Sequence, residues 1–158
     1  MSKLVQESVW DYPRPPRLEK ISQHIRVLFN NQILVDSNQA YRVLETSHPP
    51  GYYMPPTDIK MEFLIPSSRT TYCEWKGEGS YYHIKVGDRR IENAAWYYSK
   101  PKPNFLEIKN YIAFYARPMD ACWVDDERVE PQPGPFYGGW ITKNLKGPFK
   151  GVPGSNGW

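Results

Sequence analysis

The chain has 158 residues, a formal net charge of +3 and 40% hydrophobic residues, which fits one domain with a single core and excludes two separate cores. Twelve Tyr and six Trp supply much of the apolar area, so the interior must bury large rings that carry polar atoms. With no apolar signal core and no apolar run near the roughly 20 residues of a membrane span, we expect a soluble, cytoplasmic protein without membrane contact.

Residues 1–24 are predicted to be an extended proline-rich arm, because they contain Pro13-Arg14-Pro15-Pro16-Arg17. Proline fixes its own φ and disfavours a helical conformation in the residue before it. We expect the arm to lie against the rest of the protein or to reach a partner.

Residues 25–130 are predicted to be a β-domain. Residues 25–29 and 32–35 indicate a hairpin, since Asn30-Asn31 tolerates the left-handed conformations of a two-residue turn.

Two more strands are expected before a second proline-rich region. Residues 40–46 have strand composition, although the spacing of Arg42 and Glu45 also suits a helical turn. Residues 58–65 predict a strand that ends at Pro66.

The second half of the β-domain is predicted to contain three antiparallel strands, a short helical stretch and a final hairpin. The turn signals are at residues 77–79 and at Gly87-Asp88. The three strands are expected at 70–76, 80–86 and 89–98, and the helical turns at 104–110. A further strand is expected at 111–117, before the hairpin between 122–124 and 128–130. Seven or more short strands predict a mainly β, compact antiparallel barrel-like or sandwich-like single domain with few short helices.

Residues 131–158 form a basic tail rich in Gly, Pro and aromatic residues, which we expect to pack on the body. No Asp or Glu follows Glu130, and Lys143, Lys146 and Lys150 account for the whole net charge. The tail is either a solvated strap or a surface for phosphates and acidic partners. Because the remaining residues are formally neutral, nucleic-acid binding is not favoured.

Metal and cofactor sites are not indicated. The chain has two cysteines, Cys73 and Cys122, three histidines and no Cys-x-x-Cys pair, so it lacks a structural zinc set. It also lacks both common glycine-rich phosphate loops. We expect reduced thiols, with a pairing of the two cysteines left open.

Strand alternation divides the residues around Cys73. It places Thr71, Cys73 and Trp75 on one face and turns Lys76 to the other. A reactive Cys73 thiol needs a base or a positive neighbour, so a buried, inert cysteine is the alternative interpretation.

Arg69 and Glu45 are the polar candidates for ligand binding. Arg69 offers a planar fork for carboxylate or phosphate, and its alternative is an ordinary ion pair. Glu45, before a proline-constrained loop, is either a general base or the partner of an arginine. The aromatic candidates, which line a flat-ligand groove or fill the core, are Tyr53, Trp75, Trp96 and Tyr97.

Several blocks, in order along residues 25–129, resemble the domain-of-unknown-function 427 (DUF-427) family. They are Leu44-Glu45-Thr46, Pro49-Pro50 with Tyr52-Tyr53, Thr71-Tyr72-Cys73-Glu74-Trp75-Lys76-Gly77, Glu92-Asn93-Ala94-Ala95-Trp96-Tyr97-Tyr98 and Tyr111-Ile112-Ala113-Phe114-Tyr115. Glu7-Ser8-Val9-Trp10-Asp11-Tyr12-Pro13-Arg14-Pro15 and Phe136-Tyr137-Gly138-Gly139-Trp140 resemble the terminal extensions of the bacterial form.

The resemblance implies a compact β-rich, barrel-like fold, grouped with methionine sulfoxide reductases and zinc-binding exchange factors. The family carries a nucleotidyltransferase label, but this chain lacks the aspartate constellation that such chemistry requires, and fold likeness alone does not establish function.

The leading hypothesis is a small-ligand-binding β-domain for a planar or anionic metabolite. Its groove comprises Tyr53, Trp75, Trp96 and Tyr97, with polar ends at Glu45, Arg69 and Lys76. One alternative is an enzyme that uses Cys73 or Glu45. The other is an interaction module that binds a protein partner through its terminal extensions.

Overall fold

The computed structural model describes residues 5–158, and strands dominate this part of the chain. The 3-10 helices are Val9–Asp11, Pro56–Asp58, Met61–Phe63 and Pro103–Ile108. The strands, in chain order, are β1 Glu7–Ser8, β2 Arg17–Lys20, β3 Ile25–Phe29, β4 Gln32–Ser37, β5 Tyr41–Leu44, β6 Gly51–Tyr53, β7 Leu64–Cys73, β8 Gly77–Val86, β9 Arg89–Tyr97, β10 Ile112–Phe114, β11 Ala121–Val124, β12 Glu127–Arg128, β13 Glu130–Pro131, β14 Trp140–Ile141 and β15 Leu145–Lys146.

Two four-stranded antiparallel sheets form the body. One has the order β10-β9-β8-β7 and the other β12-β11-β3-β4. A three-stranded sheet, β2-β5-β6, is joined to the first by a bridge between Met54 and Ile112. The sheets do not close into a barrel within residues 5–158, and the predicted mainly β, sandwich-like single domain is confirmed.

The buried residues form one large cluster and two smaller ones. The large cluster lies between the two main sheets and includes Phe29, Ile84 and Phe114, all fully buried. A second cluster, centred on Tyr53, Trp96 and other rings, lies on the far side of the β7–β10 sheet. Because this second cluster is mostly aromatic, it provides the flat apolar surfaces on which the candidate site is built.

Turn chemistry predicted two hairpins correctly, but the turn predicted at residues 77–79 lies at 74–76, since Gly77 already starts β8. Asn30 and Asn31 have φ of 47° and 66°, as a two-residue turn between β3 and β4 requires. The β8–β9 turn at Gly87-Asp88 is also confirmed, with φ of 59° at Gly87. In the last hairpin the turn is one residue shorter than predicted, since Val124 pairs with Glu127.

The predicted strand over residues 58–65 is wrong. This stretch contains parts of two 3-10 helices, and β7 begins only at Leu64. It then runs through Pro66 instead of ending there, because β7 is the edge of its sheet and its pairing is irregular between Pro66 and Thr70. A proline is tolerated where no ladder hydrogen bond is lost.

The predicted helical turns at 104–110 are present as the 3-10 helix Pro103–Ile108, whereas the strand predicted at 111–117 is limited to Ile112–Phe114. Residues 40–46 form a strand, β5, rather than a helical turn.

The two terminal segments contact each other and the body. β1 pairs in parallel with β15, and β2 pairs with β5. The Trp10 indole donates to the Pro148 carbonyl, 2.8 Å away. Trp140 is 1% exposed, donates from Nε1 to the Phe114 carbonyl at 2.9 Å and stacks on Tyr52. No helix in residues 5–158 is long and apolar enough to cross a membrane.

Candidate functional site

A cavity of about 510 Å³ lies between the loop after β5, the β7–β8 turn and the tail. Its volume is in the range of sites for small ligands, and its walls are largely aromatic. The rings that line it are Tyr53, Tyr72, Trp75, Tyr81, Trp96, Tyr98, Tyr115, Phe136 and Tyr137. We call it the aromatic cavity.

The β7–β8 turn brings Cys73 and Lys76 to the same cavity. β7 ends at Cys73, so strand alternation does not extend through the three turn residues that follow. Gly77, with φ of +109°, then starts β8, and the Lys76 carbonyl accepts a hydrogen bond from the Lys102 amide at 2.9 Å. The prediction that Lys76 turns away from Cys73 is therefore wrong.

The Lys76 side chain is buried but has no oxygen partner. The residue is 8% exposed, and its ammonium lies 5.8 Å from the ring centre of Tyr98 and 6.0 Å from that of Phe105. Within residues 5–158 it forms no ion pair and no hydrogen bond to an oxygen atom. Among the described residues Arg26 Nε is the buried side-chain nitrogen without a hydrogen-bond partner, so the Lys76 ammonium is open to the cavity, where water or a ligand can supply its partners.

Burial lowers the pKa of Lys76, but the anionic forms of Tyr53 and Cys73 and the Glu45 carboxylate raise it more, and the net shift is upward. Burial also raises the pKa of Tyr53, so this phenol is neutral at pH 7. Glu45 is then the carboxylate whose negative charge acts on Lys76. Lys76 therefore carries an ammonium group at neutral pH.

Lys150 is an internal comparison for Lys76, since it is also 8% exposed. Its ammonium donates to the carbonyls of Ser155 and Asn156, both at 2.8 Å, and to that of Trp158 at 3.4 Å. The fold thus satisfies one buried lysine with backbone oxygens and leaves the other facing the aromatic cavity.

Gln132 fixes the tautomer of His48 at the edge of the cavity. The Gln132 side-chain oxygen accepts from the Gly139 amide at 3.0 Å, and its NH₂ group donates to the Lys150 carbonyl at 2.9 Å. The same NH₂ group lies 3.0 Å from His48 Nδ1. Because the amide can only donate there, Nδ1 is the acceptor and neutral His48 carries its proton on Nε2.

The Nε2 atom of His48 faces the Glu45 carboxylate at 3.7 Å, and Arg14 Nε lies 3.4 Å from the same oxygen. Burial lowers the pKa of His48, and Arg14, Lys76 and Lys150 reinforce the shift against the opposing effect of Glu45. His48 is therefore neutral at neutral pH, and Glu45 serves as the carboxylate partner of Arg14.

Two consecutive glycines allow the tail to close the cavity. A Cβ atom on Gly138 would lie 2.1 Å from the Trp96 ring, and one on Gly139 would lie 2.4 Å from the Pro49 carbonyl. The Trp96 indole is itself held in place, since Nε1 donates to the Tyr53 hydroxyl at 3.2 Å. Side chains larger than hydrogen at these positions are incompatible with this docking.

The structure brings together most of the predicted site residues. The aromatic cavity is lined by Glu45, Tyr53, Cys73, Trp75, Lys76 and Trp96. Arg69 lines an adjoining cavity of about 370 Å³. Tyr97 lies on the other face of β9 from Trp96 and stacks on Tyr82, with 4.8 Å between ring centres, and it lines neither cavity.

Sequence reasoning missed the contributions of Gln132 and Tyr137, and it assigned His48 no part in the site. Gln132 is 84 positions from His48, so no local pattern connects them. A usable signal was the pair Gly138-Gly139 beside aromatic residues, because adjacent glycines permit a close approach between chain segments.

The two cysteines are free thiols, Cys73 half-buried and Cys122 buried. Among residues 5–158 there is no group of three or more His, Cys, Asp or Glu side chains placed to hold a metal ion. Glu45, the carboxylate that acts on Lys76, forms an ion pair with Arg14.

A family model described as Domain of unknown function (DUF427), whose short name carries a nucleotidyltransferase label, matches residues 17–125. A comparison with curated proteins found no match. The matched range includes Lys76, Cys73 and the aromatic floor of the cavity, and it ends before the tail segment that closes it.

Proposed function

Because the chain belongs to the DUF427 family, whose description assigns no activity, we propose its function from the cavity itself: it binds a small anionic metabolite with a flat apolar part. The observation that carries this proposal is Lys76, whose side chain is largely buried while its ammonium opens onto the aromatic cavity and has no oxygen partner among residues 5–158. An anionic oxygen of a ligand supplies the missing partner.

The flat part of the ligand follows from the cavity walls. Trp75, Trp96 and Tyr98 present ring surfaces, and stacking on such surfaces favours planar groups. The polar groups at the edge, Glu45 and His48, are engaged with protein partners, so Lys76 is the cation left for the ligand.

Binding fits Lys76 better than covalent lysine chemistry does. A nucleophilic lysine requires a lowered pKa, so that the neutral amine is available at neutral pH. The pKa of Lys76 is raised instead, so its amine is protonated at neutral pH.

The experiment is a thermal-shift screen of nucleotides, sugar phosphates and aromatic carboxylates, followed by calorimetric titration of the hits. Lys76→Met should weaken binding of a hit by about tenfold or more, because a charge-assisted hydrogen bond is lost. Lys85→Met is the matched control, since Lys85 is exposed on β8 and lines neither cavity. Equal affinity in Lys76→Met and the parent protein would refute the proposal.

Cys73 supports a second candidate, an enzyme that uses a thiol on a ligand in the same cavity. The supporting observation is that the Cys73 thiol and the Lys76 ammonium line one cavity, where a bound ligand would contact both. If this candidate is right, Cys73→Ser abolishes turnover of a bound hit while leaving its affinity within about threefold.

The terminal extensions provide less support for an interaction module. The β1–β15 pairing and the burial of Trp140 hold both extensions against the body. This arrangement favours a structural strap over a free surface for a protein partner.

A further inference from the structure

We propose that the ligand carries two anionic groups, one bound by Lys76 in the aromatic cavity and the other by Arg69 in the adjoining cavity of about 370 Å³. This inference rests on the proposed function and specifies its ligand class: a flat metabolite with an anion at each end.

The two cavities are adjacent parts of one surface. Tyr81 and Tyr115 belong to both linings, and so does the tail segment from Phe136 to Gly139. The shared residues are mainly rings and glycines, so the border between the cavities carries no charge. A flat apolar centre fits this border, with polar ends in the cavities on either side.

Arg69 is available to a ligand. The residue is exposed, and it forms no ion pair with any of residues 5–158. Its guanidinium lies over the Tyr81 ring, 5.0 Å from the ring centre. The carboxylate in this cavity belongs to Glu92, which is already bound by Arg90 Nε at 3.1 Å. The planar fork of Arg69 therefore remains free to bind a carboxylate or phosphate.

Three irregular strands position Arg69 over Tyr81. The pairing of β7 with β8 is irregular between Pro66 and Thr70, and that of β8 with β9 between Tyr82 and Ile84. On β9, Asn93 has φ of 51°, an unusual value within a strand. Irregularities in neighbouring strands of one sheet redirect side chains locally, as bulges beside binding sites do.

Hydrogen bonds connect these irregularities. The Ser67 hydroxyl accepts from the Arg69 amide at 3.1 Å and donates to the Asn93 side-chain oxygen at 2.5 Å. The Asn93 amide in turn donates to His83 Nδ1 at 3.0 Å. The backbone that carries Arg69 is thus fixed from three strands, and the Tyr81 ring is the contact that holds its guanidinium at the cavity.

Matched pairs of rigid aromatic acids test the proposal. Naphthalene-2-carboxylate and naphthalene-2,6-dicarboxylate, and biphenyl-4-carboxylate and biphenyl-4,4′-dicarboxylate, differ only in the second carboxylate. Each is titrated calorimetrically into the parent protein, Arg69→Met, Lys76→Met and Lys85→Met.

For at least one pair, the dicarboxylate should bind the parent protein about tenfold more tightly than the monocarboxylate. Arg69→Met should reduce that gain to less than about twofold and leave monocarboxylate affinity unchanged, and Lys85→Met should change neither. Lys76→Met should weaken the binding of all four acids.

The outcomes separate the two proposals. If monocarboxylates bind through Lys76 but no dicarboxylate gains affinity, or if the gain survives in Arg69→Met, the second subsite is refuted alone. If none of the acids binds, or if Lys76→Met binds them as well as the parent protein does, the proposed function is refuted together with the subsite.

Discussion

Replacing Lys76 with methionine should stabilise the protein in the absence of ligand. Most of the Lys76 side chain is buried among rings, and its ammonium, which opens onto the cavity, has no oxygen partner within residues 5–158. Methionine has a similar length, no charge and a flexible apolar chain that packs well against aromatic rings. Tyr53, whose anion contributes most to the raised pKa of Lys76, is neutral at pH 7, so it does not offset the burial of the ammonium at that pH. The substitution therefore removes a charge that lacks a protein oxygen partner and keeps most of the packing.

The expected magnitude follows from the unmet donor. Leaving a buried polar group without a partner costs about 1–3 kcal/mol, and more for a charged group that water cannot reach. Because the Lys76 ammonium is open to cavity water, the low end of this range applies, and we expect Lys76→Met to raise the free energy of unfolding by about 1 kcal/mol. For a chain of this size that is about 3 °C in Tm.

The assay compares Lys76→Met with Lys150→Met by calorimetry and urea unfolding. Lys150 has the same exposure but donates to three carbonyl oxygens, so its substitution should lower stability by at least about 1.5 kcal/mol. At a ligand concentration of about 100 Kd, the parent protein gains about 2.7 kcal/mol, and the difference from Lys76→Met should shrink or reverse.

A destabilised Lys76→Met variant would refute this reasoning. It would mean that the ammonium is satisfied by the protein itself, which would also remove the main support for an anionic ligand. Similar losses of stability in Lys76→Met and Lys150→Met would also mean that the protein itself satisfies the Lys76 ammonium.

Three further predictions concern the tail, His48 and the thiols. Gly138→Ala should lower Tm by about 3 °C or more, because its Cβ would overlap the Trp96 ring. Gly157→Ala, with no atom within 4 Å of its Cβ, should change Tm by less than about 1 °C, and equal effects of the two variants would exclude the close contact between Gly138 and Trp96. Burial lowers the pKa of His48 in the folded protein, so the unfolded chain binds a proton first and stability should fall as the pH drops below 6.5, the ordinary pKa of histidine. His48→Gln should therefore flatten the dependence of stability on pH in urea titrations between pH 7.5 and 5, and an unchanged slope would contradict the assignment. Iodoacetamide should label Cys73 well before Cys122, because Cys122 is 2% exposed and burial raises its pKa. Bound ligand should protect Cys73, and equal labelling of the two thiols by mass spectrometry would place Cys73 outside an accessible cavity.

The sequence predicted the hairpins correctly where turn residues determine the backbone conformation. Asn30, Asn31 and Gly87 supply positive φ at the two clearest hairpins, and the structure has both turns. The strand predicted at 58–65 failed, because apolar composition alone does not distinguish a strand from a pair of short 3-10 helices.

Side-chain direction was harder to predict than strand position. Alternation holds only while the strand continues, and β7 stops at Cys73, so Lys76 rejoins Cys73 in the cavity. The same rule, applied to β9, shows why Trp96 and Tyr97 do not both face one groove: consecutive strand residues point to opposite faces. Arg69 was a sound candidate, but its orientation depends on irregular pairing that no local pattern indicates.

The tail contributes structure to the site as well as covering it. Trp140 fills part of the core against Tyr52 and donates to the Phe114 carbonyl, which anchors the segment that carries Gly138 and Gly139. Gln132, in the same tail, orients His48. The family match ends at residue 125, so the matched region supplies the cation and the aromatic floor, whereas the tail supplies residues that line both cavities. Because Gly138 packs directly against the Trp96 ring, a ligand that spans both cavities must pass along Tyr81 and Tyr115, the two body residues that line both.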